Sequence, residues 1–178
     1  MSLSVAAQRF LACPLLGELD DPARLALSHL LNEQHVGPKT VLITQGKTND
    51  RLWFLIEGAA AVVRREPAGV DPIARLEAPG IFGSTTFFRP AKATVSIETI
   101  SPASLLTLDH QSYEQLRSES PRAAEALALA TVRVLAERFD LLDQRLSDFI
   151  SSHPAEAAAK ANEWSRFRAR LFEEPNII

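Results

Sequence analysis

The sequence predicts an α+β fold, an antiparallel β-roll or jelly-roll flanked by N-terminal helices and a long C-terminal helix. Three observations carry this. Short β-branched or aromatic runs follow one another closely between residues 36 and 108: Val41–Thr44, Leu52–Ile56, Ala59–Val63, Pro72–Leu76, Thr94–Thr99 and Ser104–Leu108. Gly46, Gly58, Gly69, Gly80, Gly83 and Pro102 punctuate them, which is the spacing of an antiparallel sandwich. On either side of this region the apolar residues change to helical spacing, most persistently from Pro121 to Ser152.

In chain order, Val5–Ala12 reads as a short helix that ends before Pro14, because proline disfavours the α conformation in the residue before it. Leu15–Leu19 follows as a turn. Asp20 or Asp21 then caps a second helix with Pro22 at or near its first position and Leu25, Leu27, Leu30 and Leu31 on its apolar side, ending near Gln34. These elements make up a helical segment over residues 1–35, and the β-roll occupies 36–108.

Within the roll, Asp50 follows Gly46-Lys-Thr-Asn and reads as turn chemistry, and Trp53 in its apolar run reads as core rather than as a stacking platform. The stretch Ile81–Thr99 combines a Gly turn, one helical turn and a loop that returns through Pro90 into a strand. Such geometry points backbone N–H groups into a pocket suited to phosphate, or it is an ordinary turn with a helix cap. Phe87 and Phe88 are expected to bury as an anchor. Arg89 is expected to be solvated, and with Lys92 it makes the stretch locally basic.

Val41–Gly58 and Ile81–Thr99, taken together, resemble the cyclic-nucleotide-binding domain family of the catabolite activator and protein kinase A regulatory subunit type, over about Phe10 to Phe149. The resemblance implies a phosphate-binding cassette at 81–95 and a cyclic nucleotide, cyclic AMP or cyclic GMP, as the ligand to test. In the family a Glu after the cassette Gly binds the ribose hydroxyl, and an Arg shortly before a small-Thr/Ser-Val step pairs with the phosphate. Here Gly83 matches the Gly and Ser84 stands at the Glu position. Anchoring on Ala93-Thr94-Val95 puts Ala91 at the Arg position, and a one-residue slip puts Lys92 there. Thr85 and Arg89 complete the set of candidates in the cassette. Two lost hydrogen bonds to charged groups correspond to about 3–6 kcal/mol, or roughly 10²–10⁴ in affinity. Weakened or altered cyclic nucleotide binding is the expectation.

Beyond Asp109, Gln111–Arg117 reads as a short helix and Ser118–Pro121 as a break before a helix to Ser152, which at 1.5 Å per residue would span ~48 Å. Ala128, Val132, Leu135, Phe139, Leu142, Leu146 and Phe149 recur at spacings of four and three, as in a coiled-coil seam. The first half, where Leu127, Leu129 and Val134 widen the apolar face, can pack on the chain's own roll. The second half suits a partner helix, and a homodimer is expected there. In family members that dimerise this way the helix also closes the pocket. Thr131, or else Arg133 or Arg138, would contact the base, although Thr131 can equally bond its own i−4 carbonyl. The tail 153–178 carries Trp164, Phe167, Leu171 and Phe172 along one side and is expected to fold back or dock on a partner.

A net charge of −3 disfavours a protein that depends on nucleic-acid backbone contacts, and about 25 residues after the long helix cannot supply a helix-turn-helix, so no DNA binding by this chain alone is expected. The single cysteine, Cys13, excludes an internal disulfide framework. No apolar run approaches the ~20 residues of a membrane span and Met1–Phe10 lacks a signal-peptide pattern, so the expected location is cytoplasmic and no membrane partner is expected. Catalytic motifs are missing and the histidines, His29, His35, His110 and His153, are scattered, so neither an enzyme nor a metal site is expected. Three readings remain: a non-catalytic sensor signalling through its C-terminal helix to a covalently linked or separate effector; a ligand-free dimerisation module, a regulatory piece of a larger protein; and, for completeness only, an enzyme, which hydrolysis of a cyclic-nucleotide analogue would revive.

Overall fold

The computed structural model describes residues 5–12, 17, 19–152, 163 and 166. Cys13, the expected turn at Leu15–Leu16, His153 and nearly all of the tail lie outside the described residues. The chain divides into two compact units, Met1–Val134 and Leu135–Ile178.

The first unit begins with α1 (Val5–Leu11) and α2 (Asp21–His29). Asp20 caps α2 by accepting from the Ala23 amide at 2.9 Å, and Pro22 sits in its first turn, where its missing N–H costs nothing. The helix ends at His29 rather than near Gln34, because Asn32–Val36 forms strand β1, paired with Ala103–Thr107. The remaining strands are β2 (Val41–Ile43), β3 (Arg51–Glu57), β4 (Ala59–Glu66), β5 (Gly69–Glu77), β6 (Gly80–Phe82), β7 (Ser96–Thr99) and β8 (Ala103–Asp109). All pair antiparallel in two four-stranded sheets, ordered β1-β8-β3-β6 and β2-β7-β4-β5. Strand β6 is absent from the sequence-based expectation, being only three residues long.

The alternation of side chains along a strand explains how the layers are glued. On β3, Leu52 and Phe54 join a core with Phe10, Leu27, Leu106, Leu108, Leu116 and Leu127, while Trp53 and Leu55 join a second core with Ile43, Phe82, Ile97 and Leu105. The sheet containing β3 and β8 is therefore covered on both faces, by helices on one and by the other sheet on the second. That is why both strands read as continuous apolar runs.

Between β6 and β7 lies the one-turn helix α3 (Ser84–Phe87), and after β8 come α4 (His110–Glu119) and α5 (Pro121–Ser152). Asp109 caps α4, accepting the Ser112 amide at 2.8 Å. Pro121 opens α5, which contributes its first part to one unit and its remainder to the other.

Candidate ligand-binding site

The site is assembled where the chain leaves β6. Gly83 takes φ +80°, a left-handed conformation that side chains disfavour, and a Cβ there would meet the Arg51 carbonyl oxygen at 2.8 Å. The Gly83 carbonyl in turn accepts the amide of Phe87 at 3.0 Å and the hydroxyl of Thr86 at 3.0 Å, which closes the single turn of α3.

Asn49 holds this turn in place. Its amide nitrogen donates to the Arg51 carbonyl at 2.7 Å and to the Thr86 hydroxyl at 2.9 Å, and lies 3.4 Å from the Gly83 carbonyl oxygen. Its oxygen accepts from Trp53 Nε1 at 3.0 Å. Trp53 is buried and stacks on Phe82, as a core residue. The returning loop is clamped to the turn after β2. Gly46 N donates to the Ala93 carbonyl at 2.7 Å, Ala93 N donates to the Lys47 carbonyl at 2.8 Å, and Thr48 bridges Lys92.

Between turn and returning loop lies a cavity of about 290 Å³. Of the sequence candidates, Gly83, Thr85, Arg89, Ala91, Lys92, Ala93 and Thr94 come together in its wall, joined by Thr86, Val95, Ile43 and Ile97, which the sequence reading did not single out. Among the described residues, Arg89 and Lys92 are its charged ones and no carboxylate lines it. Neither cation makes an ion pair among the described residues.

Two candidates lie elsewhere. Ser84 is buried and absent from the cavity wall. Thr131 is 1% exposed, donates its hydroxyl to the Leu127 carbonyl at 2.9 Å and is likewise outside the wall. Of its two sequence readings, the i−4 bond is the one the chain makes. The expected aromatic anchor also needs correcting. Phe87 is buried, stacked on His110 at 4.4 Å and edge-on to Tyr113 at 5.6 Å, but Phe88 is 41% exposed. Consecutive helical side chains diverge by about 100°, and Phe88 keeps only edge-on contacts with Phe87 at 5.0 Å and Tyr113 at 5.5 Å.

Along α5, Val132 (59%) and Leu142 (55%) are strongly exposed, Phe139 and Phe149 are exposed to a lesser degree, and Leu135 and Leu146 are half-buried. Among the described residues no cluster of His, Cys, Asp or Glu could hold a metal ion, and no helix is long and apolar enough to cross a membrane.

A β-roll bearing a small, half-open cavity with cations in its wall has the architecture of a small-ligand-binding domain. More specifically, residues 33–120 match the family model of the cyclic nucleotide-binding domain. The chain is 28% identical over 110 residues to a CRP-like cAMP-activated global transcriptional regulator of Mycobacterium tuberculosis, covering 61% of this chain and 47% of the relative. It thus spans about half the length of that relative. In structure it is similar to a cyclic nucleotide-binding domain from Methylobacillus flagellatus, with a TM-score of 0.73, 17% identity and coverage of 80% and 83% of the two chains. It is also similar to the catabolite activator protein of Thermus thermophilus, with a TM-score of 0.62, 25% identity and coverage of 76% and 63%. The family's members are regulatory or binding domains rather than catalytic ones.

Proposed function

We propose that the chain is a non-catalytic sensor domain of altered ligand preference, which binds cyclic nucleotides weakly at the cavity beside Gly83 and signals through α5. One observation carries this: the cavity is present, with Gly83, Thr94 and two cations in its wall, while the positions to which the resemblance assigns the ribose and the cyclic phosphate carry Ser84 and Ala91, or Lys92 on a one-residue slip. A route to α5 is supported by contact. Phe87 of α3 packs on His110 and Tyr113 of α4, and α4 leads through Ser120 into α5, whose first amides at Ala123 and Ala124 donate to the Ser120 carbonyl. Ligand that shifts α3 would bias this stack and so the helix. The output would be a covalently linked or separate effector, with no DNA contact by this chain alone, and a cytoplasmic setting belongs to the same proposal.

The apolar seam from Val132 to Phe149 supports homodimerisation through α5, and it equally favours the second reading, a ligand-free dimerisation module. The two readings separate at Ala91, which lines the cavity. Ala91→Arg is expected to raise cyclic AMP affinity at least about tenfold by calorimetry, since one regained charged hydrogen bond contributes about 1.5 kcal/mol. An unchanged affinity would count against this placement of the phosphate and favour the module.

A further inference from the structure

We propose that the cavity beside Gly83 takes an organic phosphomonoester, a dianion with an apolar or aromatic body, in preference to a cyclic phosphodiester. This rests on reading that cavity as the ligand site and names the ligand class it is built for. Charge is the first ground. Arg89 and Lys92 both line the cavity, neither is ion-paired among the described residues, and no Asp, Glu or His lines it. The chain as a whole carries −3, so two cations facing one cavity are a local feature rather than part of a basic surface.

A cyclic phosphodiester brings a single negative charge and leaves one of the two cations uncompensated. A phosphomonoester, whose second pKa is about 6, carries about −1.5 to −2 near neutrality and can engage both. A carboxylate in the wall would repel that second charge, and there is none among the described residues. The exposed Thr85 and Thr94 add hydroxyl groups to the wall, whereas the Thr86 hydroxyl is already committed to the Gly83 carbonyl.

The apolar residues of the wall define the rest of the ligand. Ile43, Ala93, Val95 and Ile97 present an apolar surface, and about 290 Å³ is at the lower end of the range for small-molecule sites, which favours a compact organic body over the bare ion. Among the described residues, the wall holds no carboxylate to accept from the hydroxyl of a cyclised ribose phosphate.

The test is calorimetric titration of the full chain with adenosine 5′-monophosphate, cyclic AMP, adenosine and inorganic phosphate at neutral pH and again about one unit below the second phosphate pKa of about 6. The monophosphate is expected to bind at least about tenfold tighter than cyclic AMP at neutral pH, one additional charge-assisted contact being of that order. It should also bind tighter than inorganic phosphate or adenosine. Its advantage should shrink at the lower pH while cyclic AMP affinity stays constant. Arg89→Ala and Lys92→Ala, both at exposed positions, should each remove about tenfold from monophosphate affinity, with native circular dichroism showing that the fold is kept. Tighter binding of cyclic AMP than of the monophosphate would overturn the phosphomonoester preference and leave the cavity as the sensor site. Adenosine binding as tightly as its monophosphate would overturn the role of the cations. Heat from none of the four would overturn both this inference and the sensor reading.

Discussion

Gly83 is the residue on which the site turns. Its φ of +80° and the 2.8 Å approach of the Arg51 carbonyl to an added Cβ mean that Gly83→Ala must both strain the backbone and displace a neighbouring strand end. A loss of about 1–3 kcal/mol in urea unfolding is expected, together with loss of ligand binding; a variant as stable as the native chain would show that the turn relaxes freely. Gly83 and Thr94 were visible through the resemblance of Ile81–Thr99 to the family's cassette, and Lys92 only through a one-residue slip in that match. Asn49 was visible only as a turn residue. Its partners Gly83 and Thr86 lie 34 and 37 positions further along, and no local pattern links residues so far apart. Ser84 and Thr131 fail as wall residues for a related reason, since sequence spacing places a residue on an element but does not say which way that element faces.

At the scale of elements, the ends were less legible than the middles. Residues 32–36, Asn-Glu-Gln-His-Val, have no apolar alternation and continue a helix as readily as they begin a strand. Their pairing with β8 decides the matter, and that is a tertiary fact. Helix α4 is set by a local one. Its cap Asp109 has a carboxyl pKa held below the usual carboxylate range, chiefly by the Ser112 backbone N–H, with burial acting in the opposite direction and the Ser112 hydroxyl and Arg51 assisting. A depressed folded-state pKa contributes stability that is fully present above the unfolded value and is lost as pH falls through the folded one. Asp109→Ala is therefore expected to cost about 1 kcal/mol near neutrality, with the gap to the native chain narrowing below about pH 4. Urea titrations at the two pH values check it, and a gap that stays constant into strong acid would exclude the charged cap. For α5, Val132→Glu together with Leu142→Glu is expected to convert a dimer to monomer in sedimentation. Each apolar side chain contributes about 1.5–3 kcal/mol when buried, against an association cost of about 4–15 kcal/mol. A native chain that sediments as a monomer would refute the seam.

Over the whole molecule, the architecture follows from which strands are buried on both faces. β3 and β8 are near-continuous apolar runs because helices cover one side of their sheet and the second sheet covers the other, and this leaves β5 as an exposed edge. That pattern, strong in the sequence, made the fold legible, and the loop closing the cavity is anchored to it at Gly46 and Ala93. The ligand was less legible, because the proposed recognition rests on which cations line the cavity and on the lack of a carboxylate in its wall among the described residues. The most direct test is thermal unfolding of the chain and of an Arg89→Ala/Lys92→Ala variant, each with millimolar cyclic AMP, cyclic GMP and adenosine 5′-monophosphate. Ligand at about 100 times its dissociation constant stabilises by about 2.7 kcal/mol, so a rise of a few degrees is expected for the native chain and a much smaller one for the variant. No rise with any of these phosphates, or an equal rise in the variant, would contradict a cavity that senses anions through Arg89 and Lys92.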